Sequence, residues 1–310
     1  PHLLVLVLLL GAGVAAVALI WGDDQPEAAT QSAAVVTTTE APTTTLTPTT
    51  PPLTEAASVP AATTPTRPVA AGDPVGLAAQ INRVERVLHD PATPEADLAA
   101  AAMEQQVAYR KLVATPEWKA EVTALVDAAN RPWLEKEFLA GSKLRSMIKK
   151  PKDSLPKWRI VAPAPAAELL GYYQEAEAEF GVPWTYLAAI NLVETRMGRI
   201  RGVSSAGAQG PMQFMPPTWA AYGGGGDVNS NRDAIMGAAR YLKANGAPGD
   251  MRNALWNYNH HFAYVDAVSA HAERMAEDPG AFRAYHGWQV LYVTVNGDEW
   301  LHEGWENTGS

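Results

Sequence analysis

Glu194 is the residue whose position most favours acid–base chemistry. In the segment after Pro183, the residues Leu187, Ile190 and Glu194 are spaced by three and four, so the carboxyl group shares the apolar face of a helix. It also lies one turn before Gly198, at the helix end where the dipole disfavours a negative charge, and burial acts in the same direction. Both effects predict a raised pKa. A carboxylic acid that stays protonated at neutral pH can donate a proton to a leaving oxygen.

Two other interpretations of this region stay open. Glu194 could form a structural ion pair with Arg196 or Arg199 at the helix end. Asp227 could supply a second carboxylate, and two carboxylates would permit hydrolysis of a glycosidic bond through a nucleophile or an activated water. The sequence does not show whether Asp227 lies within reach of Glu194.

A loop rich in glycine and amide groups follows Glu194. Residues 204–216 have the sequence SSAGAQGPMQFMP, whose hydroxyl and amide groups suit hydrogen bonding to a neutral sugar. A serine-hydrolase elbow is not present, because residues 202–207 (GVSSAG) do not match GxSxG and no strand is predicted before them. The loop therefore favours a carbohydrate-binding cleft.

Three segments in this order resemble the motifs of the lytic transglycosylases of bacterial cell walls. They are Glu194-Thr195, residues 207–216 (GAQGPMQFMP) and residues 254–259 (ALWNYN). The family's motifs are a catalytic Glu followed by a small residue, a glycine/Met-Gln loop and a Tyr-Asn pair. The resemblance covers roughly residues 165–270 and is similar in detail to actinobacterial envelope members and to the soluble and membrane-bound B types. Thr195 stands where Ser is frequent, and it keeps the hydroxyl group.

The resemblance implies a role for seven residues. Glu194 would be the only catalytic acid and base, and the substrate would contact Ser204, Met212, Gln213, Phe214, Tyr258 and Asn259. In the implied reaction the acid protonates the oxygen between MurNAc and GlcNAc, and the N-acetyl group of the substrate assists departure. The same residue, now a base, deprotonates the sugar's primary hydroxyl and leaves an anhydro-MurNAc end. A hydrolytic muramidase and a non-catalytic glycan-binding protein are the alternatives.

The composition restricts other classes of function. The chain has 310 residues, 24 Lys and Arg, 33 Asp and Glu and no Cys, which gives a net charge of −9. Without cysteine there is no disulfide, thiolate metal site or cysteine nucleophile. The acidic balance argues against sequence-independent binding of nucleic acid, which needs clustered Lys and Arg.

No cofactor or metal is predicted. Residues 227–233 alternate oxygen ligands as an EF-hand loop does, but Arg232 occupies the position of the required Gly and Ala238 that of the bidentate Glu. We expect Asp233 to serve the start of the following helix instead. The histidines of the chain match no zinc signature.

The predicted fold class is mainly α, with a lysozyme-like α+β catalytic domain between a helical region and a small C-terminal β-hairpin. Helices are predicted over residues 166–180, from Pro183 to near Gly198, and over 233–245. Residues 290–295 alternate in polarity and run into Asn296-Gly297, a strong hairpin signal. Three more helices are expected between residues 76 and 150.

The first 75 residues have a different composition from the rest. The apolar run over residues 3–21 is long enough for a membrane-spanning helix, with a cleaved signal peptide as the alternative. Residues 37–68 contain 13 Thr and 7 Pro, which predicts a disordered tether. The predicted segments are a transmembrane anchor or signal at 1–22, a linker at 23–75, a helical region at 76–150, a transglycosylase domain at 151–285 and a hairpin at 286–310.

These segments predict a location in the bacterial cell envelope. The catalytic domain would lie outside the cytoplasm, held by the N-terminal helix, or secreted if that helix is cleaved. Its partners would be peptidoglycan glycan strands and the membrane, and we expect a monomer.

Overall fold

The computed structural model describes residues 66–278 and 280–308, which are mainly helical. In chain order the helices are α1 (Pro74–His89), α2 (Glu95–Ala114), α3 (Lys119–Leu125), α4 (Arg131–Met147), α5 (Ala166–Phe180), α6 (Trp184–Thr195), α7 (Pro216–Tyr222), α8 (Asn231–Ala244), α9 (Met251–Tyr258), α10 (Phe262–Glu277) and α11 (Ala281–Gly287). Two antiparallel pairs of strands accompany them, β1 (Arg159–Ile160) with β2 (Ile200–Arg201) and β3 (Val290–Thr294) with β4 (Gly297–Leu301). The predicted mainly helical, lysozyme-like class with a small β element is confirmed.

The predicted membrane anchor at residues 1–22 lies outside the described residues, as does most of the predicted linker. Over the described ranges, no helix combines the length and apolar character needed to cross a membrane.

The helix α1 begins at Pro74, where Asp73 caps it by accepting a hydrogen bond of 2.9 Å from the backbone N–H of Gly76.

The N-terminal helical region contains four α-helices, not three. After Thr115, a 3-10 turn, Pro116–Trp118, leads into α3. A second turn, Ala128–Asn130, then separates α3 from α4, with Pro132 in the first turn of α4. The extra helix arises from this second turn, for which the sequence gives only a weak signal.

Two helices beside the candidate site follow the sequence closely. The helix α5 has the predicted bounds and ends at Gly181, whose φ of 72° only glycine adopts readily. The helix α6 ends at Thr195, before the predicted Gly198, because Arg196 and Met197 take φ values of 52° and 58°. These two residues in the left-handed conformation end the helix one residue after Glu194.

The helix α8 begins two residues earlier than predicted. Ser230 is its N-cap, and the Ser230 side chain accepts a hydrogen bond of 3.3 Å from the backbone N–H of Asp233. The Asp233 carboxylate accepts the backbone N–H of Asp227 at 3.0 Å. Asp233 therefore lies at the start of the helix as expected, but within its first turn and not as the N-cap, and its carboxylate also fixes the preceding loop.

The predicted C-terminal hairpin is present as β3 and β4. Its register pairs Val290 with Leu301 and Thr294 with Gly297, and Gly297 has a φ of 110°. All residues of β3 are buried. The hairpin therefore contributes a strand to the core as well as closing the chain.

The helix α6 lies in the middle of the helical body and packs against α5, α8, α10 and α11. Every residue of α6 from Leu187 to Thr195 is buried. A helix that is covered on all sides requires apolar residues all round, so any polar side chain on it needs a partner or a function.

A buried ion network joins α10 to the N-terminal helices. The guanidinium of Arg274 is fully buried and donates to Glu137 at 3.0 Å, to both oxygens of Glu85 at 3.0 and 3.1 Å, and to Asp278 at 3.2 Å. Burial alone would lower the pKa of Arg274, but the charges of Glu85 and Glu137 raise it. Arg274 is therefore a charged residue whose hydrogen bonds link α10 to α1 and α4.

We expect Arg274→Met to lower the free energy of unfolding by about 3–5 kcal/mol, because it leaves buried carboxylates without their cation. Urea unfolding at pH 7, followed by circular dichroism, measures this loss. Arg83→Met is the matched control, since Arg83 is 54% exposed and pairs with Glu104 on the surface. The free energy of unfolding of Arg83→Met should decrease by less than about 1 kcal/mol. Equal decreases in the two variants would contradict a structural role for the network.

Candidate active site

The carboxyl group of Glu194 is buried at the end of α6. Its side chain is only 1% exposed. Burial raises the pKa of Glu194 to about 8, and a hydrogen bond from Tyr264 acts in the opposite direction. The group is therefore largely protonated at neutral pH, in the direction that the sequence predicts.

The two oxygens of Glu194 have different surroundings. Oε1 accepts a hydrogen bond of 2.8 Å from the hydroxyl of Tyr264 on α10, whereas Oε2 is buried without a hydrogen-bond partner among the described residues. A proton on Oε2 is consequently free to be donated. Glu194 thus has one anchored oxygen and one available oxygen.

Tyr264 lies outside the three sequence motifs, and the sequence analysis missed it. It shares a buried face of α10 with Val268 and His271, at spacings of four and three. A polar group on an otherwise apolar helix face is the signal by which the sequence identifies Glu194, and Tyr264 shows the same signal. Applied to every helix, that criterion would have found Tyr264.

The structural ion pairs that the sequence left open for Glu194 are not formed. Arg196 donates to the backbone oxygen of Leu192 at 3.2 Å, and its guanidinium lies over the ring of Trp288, 5.5 Å from the centroid. Arg199 donates to the backbone oxygen of His286 at 3.1 Å. Neither arginine therefore forms an ion pair with Glu194.

Hydrogen bonds to one carbonyl hold the glycine-rich loop against α6. The backbone oxygen of Pro211 accepts from Thr195 Oγ1 at 2.6 Å and from Asn191 Nδ2 at 2.8 Å. The hydroxyl of Tyr173 on α5 donates to Asn191 Oδ1 at 2.6 Å and orients the amide. The hydroxyl at position 195 thereby links the first motif to the second.

The loop folds back on itself as a short bridge. The backbone N–H groups of Gln209 and Phe214 donate to each other's carbonyl oxygens at 2.9 and 2.8 Å. Gly210 has a φ of 72°, and a Cβ there would lie 1.9 Å from the carbonyl oxygen of Val228. Only glycine fits this approach, so the position fixes the course of the loop.

Tyr258 connects the third motif to the other two. Its hydroxyl donates to the backbone oxygen of Met212 at 2.6 Å, and its ring lies edge-on to Phe214 at 6.1 Å and stacked on Tyr264 at 6.4 Å. Burial, together with the charge of Glu194, raises the pKa of Tyr258 well above its ordinary range. Tyr258, Met212, Phe214 and Glu194 therefore lie in one neighbourhood.

Each motif carries one buried polar atom without a hydrogen-bond partner among the described residues. These atoms are Glu194 Oε2, Gln213 Oε1 and Asn259 Nδ2. Gln213 also adopts a φ of 53°, a left-handed conformation that is strained for a residue with a side chain. An acid, an acceptor and a donor left unsatisfied are suited to a polar, uncharged ligand.

Some predicted site residues are not joined to Glu194 directly. Ser204 Oγ accepts the backbone N–H of Ala208 at 2.9 Å, within its own loop. Among the described residues no hydrogen bond links Ser204, Gln213 or Asn259 to Glu194. Their part in substrate contact stays a prediction.

A second carboxylate does not influence Glu194 within the described residues, because burial and Tyr264 account for its pKa shift. Asp227 is exposed, and its carboxylate accepts the backbone N–H of Asn229 at 2.9 Å. Its structure is that of a local turn.

One group of side chains in the described part of the chain has metal-like spacing. Glu85, His89 and Asp278 each place a ligand atom within 4.8 Å of the others. Arg274 already donates to Glu85 and Asp278, and the hydrogen bond to Asp278 raises the pKa of His89. The group belongs to the buried ion network and includes no residue of the three motifs.

Fold and site together define a lysozyme-like helical domain with one buried, protonated carboxyl group beside a loop of amide and hydroxyl groups. Residues 171–277 match the family model of the Transglycosylase SLT domain. Its members are lytic transglycosylases, enzymes that act on the peptidoglycan of the cell wall outside the cytoplasm. The predicted enzyme class and glycan partner are confirmed. No curated protein and no solved structure matched the chain.

We expect Glu194→Gln to stabilise the protein in a pH-dependent way. Between the ordinary pKa of 4.5 and the folded value of about 8, the folded protein holds a proton that the unfolded chain releases, so stability falls as pH rises. Gln cannot ionise, so the Glu194→Gln variant does not lose stability in this way as pH rises. The difference in unfolding free energy between variant and wild type should increase by about 2–3 kcal/mol from pH 5 to pH 7.

Denaturant unfolding at both pH values measures this difference. Glu179→Gln, at an exposed position of α5, is the matched control and should show no comparable change. A Glu194→Gln difference that is the same at pH 5 and pH 7 would mean that the carboxyl group is not held protonated.

Proposed function

We propose that Glu194 is the single acid and base of a peptidoglycan lytic transglycosylase. The observation that carries this proposal is the unpartnered Oε2 of a buried carboxyl group whose pKa is raised to about 8. Such a group holds the proton that a glycosidic oxygen needs when the bond breaks. Tyr264 holds the other oxygen, so the acid has a defined orientation.

The reaction begins with proton transfer from Glu194 Oε2 to the oxygen between MurNAc and GlcNAc. The bond from that oxygen to the anomeric carbon of MurNAc breaks, and the carbonyl oxygen of the N-acetyl group bonds to this carbon. Glu194, now a carboxylate, takes the proton of the primary hydroxyl of the same sugar. The hydroxyl oxygen then displaces the N-acetyl oxygen and closes the anhydro ring, so no water is added and Glu194 is protonated again.

The absence of a second carboxylate effect on Glu194 favours this route over hydrolysis. Retaining and inverting glycosidases place two carboxyl groups about 5–9.5 Å apart. Among the described residues, no neighbouring acid contributes to the pKa of Glu194. A hydrolytic muramidase would need a second carboxylate as nucleophile or base.

The substrate contacts are proposed from the unsatisfied groups and the aromatic wall. Gln213 Oε1 would accept, and Asn259 Nδ2 would donate, a hydrogen bond to the N-acetyl or hydroxyl groups of the glycan. Tyr258 and Phe214 would form the wall of the cleft, with Met212 beneath them and Ser204 at the start of the loop.

The rest of the chain would connect the catalytic domain to the cell envelope. We propose that residues 1–22 anchor the enzyme in the membrane and that the linker predicted over 23–75 is a tether that ends before Arg67, because Arg67 and Val69 already contact the folded domain and α1 begins at Pro74. Residues 76–150 would form the helical region, 151–285 the catalytic domain and 286–310 the hairpin. The protein would act as a monomer in the bacterial cell envelope, with a relationship to actinobacterial and B-type enzymes.

Glu194→Gln should abolish glycan cleavage while the variant stays folded. Digestion of purified sacculi, followed by mass spectrometry, measures this loss and identifies the product, since an anhydro end is lighter by one water than a reducing end. Glu179→Gln should retain full activity. Turnover by Glu194→Gln would refute the assignment. Reducing ends in the products of the wild type would show that the reaction is hydrolysis and not the lytic reaction.

Tyr264→Phe should reduce kcat and move the alkaline limb of the pH profile to higher pH. The hydrogen bond from Tyr264 lowers the pKa of Glu194, so its removal raises that pKa and keeps the acid protonated at higher pH. The profile of kcat/KM against pH is the measurement. Tyr258→Phe, which removes the bond to Met212, should slow turnover without moving this limb, and an unmoved limb in Tyr264→Phe would argue against the positioning role.

A further inference from the structure

A cavity of about 550 Å³ lies apart from the catalytic motifs. It is bordered by α2, α4, the turn of the C-terminal hairpin and residues 67–70. Its apolar lining includes Val107, Val113, Leu144 and Trp288, and none of the site residues named above line it. The volume is in the range of pockets that enclose small molecules, about 300–1,000 Å³.

Arg196 lines this cavity as a buried cation. It is 1% exposed and lies over the indole of Trp288. Its Nε has no hydrogen-bond partner, and in the described parts of the chain Arg196 forms no ion pair with a carboxylate. Burial, followed by the charge of Arg110, lowers the pKa of Arg196 to about 9, against a smaller opposing effect of Glu137.

The two fully buried arginines among the described residues, Arg196 and Arg274, differ in their partners. Arg274 has three carboxylates within 3.2 Å, whereas the guanidinium of Arg196 has only the Leu192 carbonyl and an aromatic face. An isolated buried charge is costly unless it is paired. Since Arg196 is one of the residues that line the open volume, a ligand bound there can supply the missing anion.

The other charges that line the cavity leave a positive balance. Asp298 is shared, because Arg110 donates to it at 2.6 Å and Arg145 lies 4.0 Å away, while Arg67 donates to its backbone oxygen at 2.6 Å. Lys111 adds a further cation to the lining.

The remaining acid of the lining is already committed. Glu137 accepts a hydrogen bond from Arg274 at 3.0 Å and another from the hydroxyl of Tyr285. No acidic side chain of the lining is therefore left to neutralise Arg196.

We propose that this cavity binds a small amphiphilic monocarboxylate, with its carboxylate on the edge of Arg196 and its apolar body against Val107, Val113 and Leu144. A planar guanidinium whose Nε has no partner matches a carboxylate, which carries a single charge in a flat fork. A phosphate would bring a second charge, whereas Arg110, the cation whose charge acts on Arg196, is already paired with Asp298. The proposal is independent of the chemistry proposed for Glu194.

Isothermal titration calorimetry of the full chain with decanoate tests the proposal. We expect saturable binding at one site, at least tenfold tighter than that of the neutral decan-1-ol. Arg196→Met should weaken decanoate about 10- to 100-fold, the range for a hydrogen bond to a charged group, and leave decan-1-ol unchanged. Arg83→Met, a surface arginine, and Glu194→Gln should both bind decanoate as the wild type does, so that a failure of the catalytic assignment leaves this test intact.

Equal affinity for the acid and the alcohol, no saturable binding, or unchanged affinity in Arg196→Met would each overturn the proposal. If Arg196→Met loses its circular dichroism spectrum, Val113→Trp decides the question. Val113 is half-buried on the cavity wall, so a larger side chain there narrows the volume without removing a charge. Loss of decanoate binding by tenfold or more supports the site, and retained binding contradicts it.

Discussion

The burial of one carboxyl group at the end of α6 is the constraint on which the site depends. Glu194 stays protonated because helices pack around α6 and, in the part of the chain that the structure describes, only Tyr264 donates to it. The same covering forces the helix to be apolar, and it leaves the loop as the element that can present polar groups. Thr195 and Asn191 hold that loop in place, so acid and ligand groups share one support.

Local patterns in the sequence predicted the elements near the site. Helical spacing placed Glu194 on an inward face, Gly181 marked the end of α5, and Asn296-Gly297 marked the hairpin turn. Each of these signals is contained within a few residues, and each depends on a backbone preference or on burial of one face. The bounds moved where a side chain acted across a turn, as Ser230 does at the start of α8.

Contacts between distant parts of the chain could not be predicted in this way. Tyr264 meets Glu194 across 70 positions, and Arg274 meets Glu85 across 189. Nothing in the local pattern around Arg274 or Arg196 separates a buried guanidinium from a solvated one. The two arginines have opposite surroundings because of the helices that pack on them, which periodicity within one segment does not specify.

The double hydrogen bond to Pro211 also limits how the length of this chain can change. Two donors of α6 hold a single atom of the loop, so an inserted or deleted residue between positions 196 and 210 would shift the amide groups relative to the acid. Gly224 and Gly225 are exposed and lie beyond that attachment. Insertions are expected to be tolerated there, while the earlier stretch should vary only by substitution.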